Sequence, residues 1–160
     1  PDTCLLSAWC SQGLMTPSGY PLGVHTDDNN DLIVADSMRA AVVRWTGYRY
    51  EVLAGGRGAG SGADQLRGPL GVYFVSGSPD TLYVADTANH RIVAWPLGSV
   101  AGTVVFGTSS PGAGLSELRY PVGVYLNQSL LYVVDYGNSR ILEVANGAMT
   151  GQRVPEEDVR

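Results

Sequence analysis

The sequence contains no lysine, and its ten basic residues are all arginine. Charged residues make up only 16% of the chain, and the formal net charge is −5. Proteins that bind nucleic acid neutralise phosphate groups with clustered Lys and Arg. Because the arginines here are scattered and the overall charge is acidic, we expect no nucleic-acid partner.

Cysteine is also scarce, since Cys4 and Cys10 are the only two in the sequence. They can form a small-loop disulfide in an oxidising compartment, but they cannot supply the four ligands of an all-cysteine zinc site. Long apolar runs are missing as well, and runs such as Leu130–Val134 have the length of a strand. None approaches the roughly 20 residues of a membrane-spanning helix. We therefore expect no membrane span in this sequence, and the compartment stays open.

Glycine is abundant, with 21 residues, and apolar residues make up 44% of the chain. Disordered chains combine few apolar with many charged residues, so this composition argues against disorder. Gly together with Val, Leu, Tyr and Thr is typical of short strands joined by tight turns. No segment shows the period of an amphipathic helix over a useful length. The composition predicts an all-β protein.

Three segments of the chain repeat one pattern. Each begins with Pro-x-Gly-Val, continues with an apolar strand that ends in Asp, and closes with a second apolar strand. The step between segments is about 50 residues, which is the length of one β-propeller blade. The three units comprise Pro21–Val24, Leu32–Asp36 and Val42–Trp45; Pro69–Val72, Leu82–Asp86 and Asn89–Trp95; and Pro121–Val124, Leu131–Asp135 and Asn138–Val144.

The middle unit predicts a blade of four strands. Its second strand is apolar at consecutive positions, as expected where both faces are buried against neighbouring blades. The four strands are expected at Val72–Val75, Leu82–Ala85, Arg91–Trp95 and near Gly102–Phe106. Blades with their connectors are expected at 21–68, 69–120 and 121–151, with 1–20 as the remnant of an earlier blade or an N-terminal extension and 152–160 as a polar tail.

These units resemble NHL repeats. That family combines Pro-x-Gly-Val, a Leu-Tyr-Val-Ala-Asp strand end and a following Asn-His-Arg-Ile, which the middle unit carries as Asn89–Ile92. The third unit is similar, with Asn138 and Arg140, whereas the first has Ala41 in place of the arginine. The resemblance covers residues 20–145 and implies a β-propeller. Three blades cannot close a ring, so it also implies a partial ring, part of a six-bladed propeller.

Aspartate and arginine recur at the turn between the second and third strands of each unit. We expect Asp86 with Arg91, and Asp135 with Arg140, to fix this turn, because a carboxylate accepts backbone N–H bonds and a forked bond from Arg. Asp36 is expected to lack this partner, since the first unit has no arginine at that position. A catalytic acid or base is the less favoured interpretation, because such a residue is needed once per site rather than once per unit.

Two Gly-rich stretches, 54–62 and 106–114, occupy the same place in successive units. Neither ends in the Lys-Ser/Thr pair of a phosphate-binding loop, and neither leads into a helix pattern. We interpret both as connectors between blades.

The two histidines of the chain, His25 and His90, come from non-equivalent positions of the repeat. His25, Tyr73 and Tyr125 share one position of the first strand, where we expect packing between blades rather than metal binding. The sequence shows no histidine cluster and no Ser-His-Asp arrangement. We therefore expect no catalytic residue, no metal and no cofactor.

The leading hypothesis is a non-catalytic scaffold that binds protein. The open blade faces of a partial ring expose apolar surface and a sheet edge, so we expect them to be covered by a protein partner, by further blades, or by a second copy that closes a ring. In propellers the loops between second and third strands share one face with the loops between blades. The candidate interaction residues on that face are Arg39, Arg57, Arg67, Asn89, His90, Tyr120, Tyr136 and Asn138.

Two other functions stay open. One is part of a propeller lyase or hydrolase with a metal site in the central channel, which bound zinc or calcium would favour. The other is an RNA-binding NHL domain, which predicts a basic loop face and salt-dependent affinity. The acidic balance of the sequence disfavours RNA.

Overall fold

The computed structural model describes residues 19–46, 50–145 and 147–155. Within these ranges the chain forms twelve strands and no α-helix. The strands make three antiparallel sheets of four strands, each running in sequence order. The protein is therefore all-β, and its sheets are three blades of a β-propeller. The predicted disulfide of Cys4 and Cys10 lies outside the described residues.

The strand bounds agree with the four strands expected in the middle unit. The first blade contains β1 (Pro21–Thr26), β2 (Leu32–Asp36), β3 (Ala41–Trp45) and β4 (Tyr50–Gly55). The second contains β5 (Gly71–Val75), β6 (Thr81–Asp86), β7 (Arg91–Pro96) and β8 (Thr103–Phe106). The third contains β9 (Pro121–Asn127), β10 (Leu130–Asp135), β11 (Arg140–Ala145) and β12 (Gln152–Arg153).

Strand β12 lies inside the segment that was expected to be a polar tail. It pairs with β11 through Leu142 opposite Arg153 and Glu143 opposite Gln152. The free edge of β11 accepts the backbone of these residues whatever their side chains, because the outermost strand of a sheet carries polar residues readily. The third blade therefore extends beyond the expected boundary at 151.

Apolar side chains fill the space between adjacent blades, and β6 shows how one strand serves two interfaces. Leu82 and Val84 belong to the core between the first and second blades. Ala85 belongs to the core between the second and third blades, and Tyr83 packs against that core. Burial on both faces explains why this strand is apolar at consecutive positions.

The first strands of adjacent blades, β1, β5 and β9, pack side by side. A Cβ atom on Gly23 would collide with the carbonyl oxygen of Leu70, and one on Gly71 would lie 2.6 Å from the carbonyl oxygen of Val122. The glycine of Pro-x-Gly-Val is needed because the main chain of the next blade occupies the space of its side chain.

Both Gly-rich stretches are connectors between blades, as the sequence predicted. The first follows β4 and leads to β5, and the second follows β8 and leads to β9. Each contains a parallel bridge, Ala59 to Leu66 in the first and Pro111 to Leu118 in the second. The connectors are therefore folded in the same way.

Candidate functional site

The loop face of the protein comprises the connectors 56–70 and 107–120 and the turns 37–40, 87–90 and 136–139. Antiparallel pairing places these segments at one end of the blades. All eight candidate interaction residues lie on this loop face.

Asp86 ends β6 and is the centre of a buried polar cluster. Its Oδ2 accepts hydrogen bonds from Nε of Arg91 at 2.7 Å and from Nδ2 of Asn89 at 2.8 Å. Its Oδ1 accepts a bond from the backbone N–H of Arg67 at 2.7 Å. The expected pair of Asp86 and Arg91 is present, but the backbone donor belongs to the preceding connector rather than to the turn.

Arg91 does not fork onto the carboxylate, so that part of the expectation is wrong. The connector folds over the guanidinium group of Arg91, and main-chain oxygens of the connector accept its hydrogen bonds and fix its orientation. Its terminal nitrogens donate, at 2.9 to 3.2 Å, to the carbonyl groups of Ser61, Gly62 and Gln65. Nδ2 of Asn89 donates to the carbonyl of Gly60 at 2.8 Å. The cluster therefore holds the connector against the blade that follows it.

The same arrangement recurs one blade later. Asp135 accepts from Nε of Arg140 at 2.7 Å, from Nδ2 of Asn138 at 2.8 Å and from the backbone N–H of Arg119 at 2.7 Å. The terminal nitrogens of Arg140 donate, at 2.7 to 2.9 Å, to the carbonyl groups of Ala113, Gly114 and Glu117. Recurrence of the same bonds in both blades indicates a structural role.

Asp36 in the first blade has an arginine partner that the repeat pattern did not predict. Nη1 of Arg39 donates to Oδ2 of Asp36 at 2.8 Å, and the backbone N–H of Arg39 donates to Oδ1 at 3.1 Å. The first blade has Ala41 at the arginine position of the repeat, as the sequence shows, and the turn brings Arg39 back to the end of β2 instead. Arg39 stands where the other blades carry asparagine.

His90 is buried beneath the second connector, with 8% of its surface exposed. Its Nδ1 accepts a hydrogen bond from the backbone N–H of Tyr120 at 3.1 Å, and its ring meets the ring of Tyr120 edge to face. Burial and the positive charge of Arg119 lower the pKa of His90, with partial opposition from Asp135. The neutral imidazole is the form that accepts the Tyr120 bond.

The eight candidate interaction residues divide into two groups. Four are exposed: Arg57, Arg67, Tyr120 and Tyr136. Four are buried or half-buried: Arg39, Asn89, His90 and Asn138. Asn89 and His90 are buried with their polar groups bound to the connectors, which leaves little of them accessible to a partner, whereas Arg39 and Asn138 are half-exposed.

Sequence reasoning missed Arg119 and the two connector leucines. Arg119 is exposed on the loop face, next to Tyr120. Leu66 and Leu118 are fully buried in the two cores between blades, where they anchor the connectors. The signal that reveals them is Leu-Arg-x-Pro, which occurs once in each connector at 66–69 and 118–121.

His25, Tyr73 and Tyr125 form a row of rings on β1, β5 and β9. Neighbouring ring centroids are 4.7 and 4.9 Å apart, in edge-to-face contact. The expected packing between blades is therefore present. Nδ1 of His25 lies 2.7 Å from the carbonyl oxygen of Thr26, so this nitrogen donates. Burial and the adjacent Tyr125 raise the pKa of Tyr73.

On the side away from the second blade, the third blade has a face that no other described blade covers. Val134 of β10 is 40% exposed there, whereas Ala85 at the same place in β6 is fully buried. A Cβ on Gly123 would meet only the side chain of Val134, not the main chain of a further blade. The face carries a groove of about 630 Å³ lined by Val134, Tyr136, Gly137, Ser139, Arg140, Ile141, Arg153 and Val154.

The first blade has exposed apolar residues on β1, the strand that would contact a blade preceding it. Leu22 and Val24 of β1 are 64% and 65% exposed, whereas Val72, the counterpart of Val24, is 7% exposed because it packs on the first blade. On the same side of the first blade, Val34 and Val43 are buried. The uncovered part is therefore the edge formed by β1.

Over 19–46, 50–145 and 147–155, no three His, Cys, Asp or Glu side chains converge on a metal-binding position. His25 and His90 lie in different parts of the fold. None of the helical turns in this part of the chain is long and apolar enough to cross a membrane.

No protein-family model and no curated protein matches the chain. Among solved structures it is similar to an auxiliary nutrient binding protein from Bacteroides thetaiotaomicron, with a TM-score of 0.62 and 16% identity over 75% of this chain and 36% of that one. It is also similar to a streptogramin B lyase (TM-score 0.47) and to a catalytically inactive virginiamycin B lyase from Staphylococcus aureus with quinupristin (TM-score 0.45). Both are 13% identical over 89% of this chain, which spans 56% and 58% of their lengths. The chain thus spans less than two thirds of each of these proteins. The likeness to the nutrient binding protein concerns the fold alone.

Proposed function

We propose that the chain is a non-catalytic, NHL-type propeller scaffold that binds protein through its uncovered blade face. The observation that carries the proposal is the groove on the third blade together with the exposed edge of β1. They are the two sides of the contact that joins adjacent blades, and the chain makes this contact twice, between its first and second blades and between its second and third. Apolar surface of this kind marks sites where another protein binds.

The two interfaces within the chain indicate what fits the groove. At each, the carbonyl preceding the glycine of one Pro-x-Gly-Val packs against the glycine of the blade before it, as Leu70 does on Gly23 and Val122 on Gly71. Gly123 offers the same slot without an occupant from the described residues. The fitting occupant is another blade of this repeat type.

We infer that a second copy of this chain supplies that blade. The carbonyl of Leu22 corresponds to the two carbonyl groups that fill the glycine slots, and Val24 corresponds to the buried Val72. Contacts from the third blade of each copy to the first blade of the other would close a ring of twice three blades, with two-fold symmetry. Burying a Val, Leu or Ile side chain contributes about 1.5–3 kcal/mol, and the contact would bury several on each side.

The repeated carboxylates support a non-catalytic role. Asp86 and Asp135 each accept three hydrogen bonds, at 2.7 or 2.8 Å, from the chain itself. A carboxylate whose oxygens are held in this way is engaged in structure. Metal analysis of the intact protein tests the enzymatic alternative, since stoichiometric zinc or calcium would contradict the non-catalytic assignment.

Light scattering after size exclusion tests the docking. We expect a mass of twice 16.9 kDa for the chain across a hundredfold range of concentration. Val134→Glu places a charge in the groove and should give a folded monomer that keeps the circular-dichroism spectrum of the parent. Its thermal unfolding midpoint should be lower, because the contact with the second copy no longer stabilises the fold. Val100→Glu is the matched control, because Val100 is 74% exposed and lies outside the groove, and it should leave the dimer intact. A monomeric parent chain, or equal effects of the two variants, would overturn the second copy as the occupant.

A further inference from the structure

Arg67 and Arg119 have the same rigid main-chain setting in the two connectors. The backbone N–H of each donates to an Asp carboxylate, Asp86 or Asp135, at 2.7 Å. The carbonyl of Arg67 accepts from the N–H of Ala88 at 3.1 Å, and that of Arg119 accepts from Gly137 at 2.7 Å. The leucine before each arginine is fully buried. The backbone is therefore held at both peptide groups, while the side chains are exposed.

These two guanidinium groups have no carboxylate partner among the described residues. The ion pairs of that part of the chain use five other arginines, Arg39, Arg44, Arg57, Arg91 and Arg140. Arg67 and Arg119 are exposed on the loop face. An exposed guanidinium on a fixed backbone is a donor for an external anion, because little backbone entropy is lost when it binds.

The charges of the loop face and of the opposite end differ. On the loop face, four aspartates are ion-paired with arginines, and the remaining connector carboxylate, Glu117, accepts a bond from the N–H of Gly114. The two free arginines therefore outnumber the one unpaired carboxylate. The turns at the opposite end carry acidic residues that form no ion pair with another described residue, Asp28 and Asp31 after β1 and Asp80 after β5. The acidic net charge of the chain thus includes a group of aspartates remote from Arg67 and Arg119.

Exposed aromatic rings flank Arg119. Tyr120 follows it directly and is 48% exposed, and Tyr136 is 70% exposed in the turn whose Gly137 binds the carbonyl of Arg119. Tyr120 is fixed by its backbone bond to His90 and by the contact of the two rings. Tyr and Arg on a rigid support are typical of surfaces that bind peptides.

We propose that Arg67, Arg119, Tyr120 and Tyr136 form a binding surface for an acidic peptide segment of a partner protein. The inference rests on the proposed scaffold function and uses the loop face; of its four residues, Tyr136 also lines the groove, whereas Arg67, Arg119 and Tyr120 do not. Carboxylates match the planar fork of a guanidinium, and the tyrosines contact the apolar parts of the peptide. Two free arginines on a chain of net charge −5 suit a few carboxylates better than the many phosphates of a nucleic acid.

Fluorescence anisotropy with a fluorescein-labelled hexaglutamate peptide tests the surface, with hexaglutamine as the uncharged probe. The double variant Arg67→Gln/Arg119→Gln should weaken hexaglutamate binding at low salt by about fivefold, because it removes two exposed ion pairs, each of which is weak. Arg57→Gln is the control for loss of positive charge, because Arg57 is exposed but lies 3.8 Å from Asp64, and it should change the affinity by less than about twofold. All variants should keep the parent unfolding midpoint.

Each outcome decides the inference. No binding of hexaglutamate by the parent chain, equal binding of hexaglutamine, or an equal effect of Arg57→Gln would overturn it. Tighter binding of a labelled uridine-rich RNA that the double variant loses would assign the surface to nucleic acid instead. The mass of the parent chain separates the two proposals: Arg-dependent peptide binding by a monomeric parent would keep this inference while the docking of a second copy fails.

Discussion

Replacing Asp86 by Asn removes one charge from the cluster that joins the first connector to the second blade. The carboxylate is fully buried and accepts three bonds, while its partner Arg91 has a side chain only 6% exposed. Asparagine keeps the shape, but its NH₂ group must face either the N–H of Arg67 or the donors of Arg91 and Asn89. Both orientations oppose donor to donor.

The expected loss of unfolding free energy follows from the burial of the Asp86–Arg91 ion pair. Removing one partner of a buried ion pair costs about 3–5 kcal/mol. We expect the lower end, about 3 kcal/mol, because Arg91 keeps the three connector carbonyl groups. For a chain of this size that corresponds to a melting temperature lower by about 6–12 °C. Asp36→Asn is the matched control and should cost about 1 kcal/mol, since its partner Arg39 has a side chain 30% exposed.

Urea unfolding followed by tryptophan fluorescence measures both variants. A loss for Asp86→Asn no larger than that for Asp36→Asn would refute the buried cluster as the main support of the connector. A double-mutant cycle with Arg91→Gln adds a second check. The paired variant should cost less than the sum of the single changes, because each single change leaves a buried donor or charge without its partner.

Two further predictions concern His90 and Gly71. Burial lowers the pKa of His90 in the folded chain below its ordinary value of about 6.5. As pH drops below about 6.5, the unfolded chain therefore takes up the proton first, and the free energy of unfolding should fall. His90→Gln should lose this part of the pH dependence in urea midpoints at about pH 7.5 and 5.5, and identical slopes would contradict the buried neutral imidazole. Gly71→Ala should cost about 1–3 kcal/mol in thermal unfolding, because its Cβ would lie 2.6 Å from the carbonyl oxygen of Val122. Gly77→Ala, whose Cβ would meet nothing closer than 3.5 Å, should change stability by less than about 0.5 kcal/mol, and equal costs would rule out the close approach of β5 and β9.

The polar clusters were partly predictable. Asp86 and Arg91 lie five residues apart, opposite each other across one turn, so the repeat pattern indicates their pairing. The bonds from Arg91 to the connector span 26 to 30 residues, and no local pattern encodes them. Asp36 is bound by Arg39, a position at which the repeat pattern has no arginine, so the pattern did not indicate this partner.

The sequence by itself determined the blades, because strands and turns depend on neighbouring residues. Apolar runs such as Leu82–Ala85, together with the recurring Pro-x-Gly-Val and Asp, act over a few positions and repeat at blade length. Only the tertiary structure decided which side chains of the loop face are free. Burial depends on which distant segment passes over a residue, and the stacking of blades decides that. The second connector therefore covers His90. The side chains of Arg67 and Arg119 are exposed, although Asp86 and Asp135 bind the backbone N–H groups of these two residues.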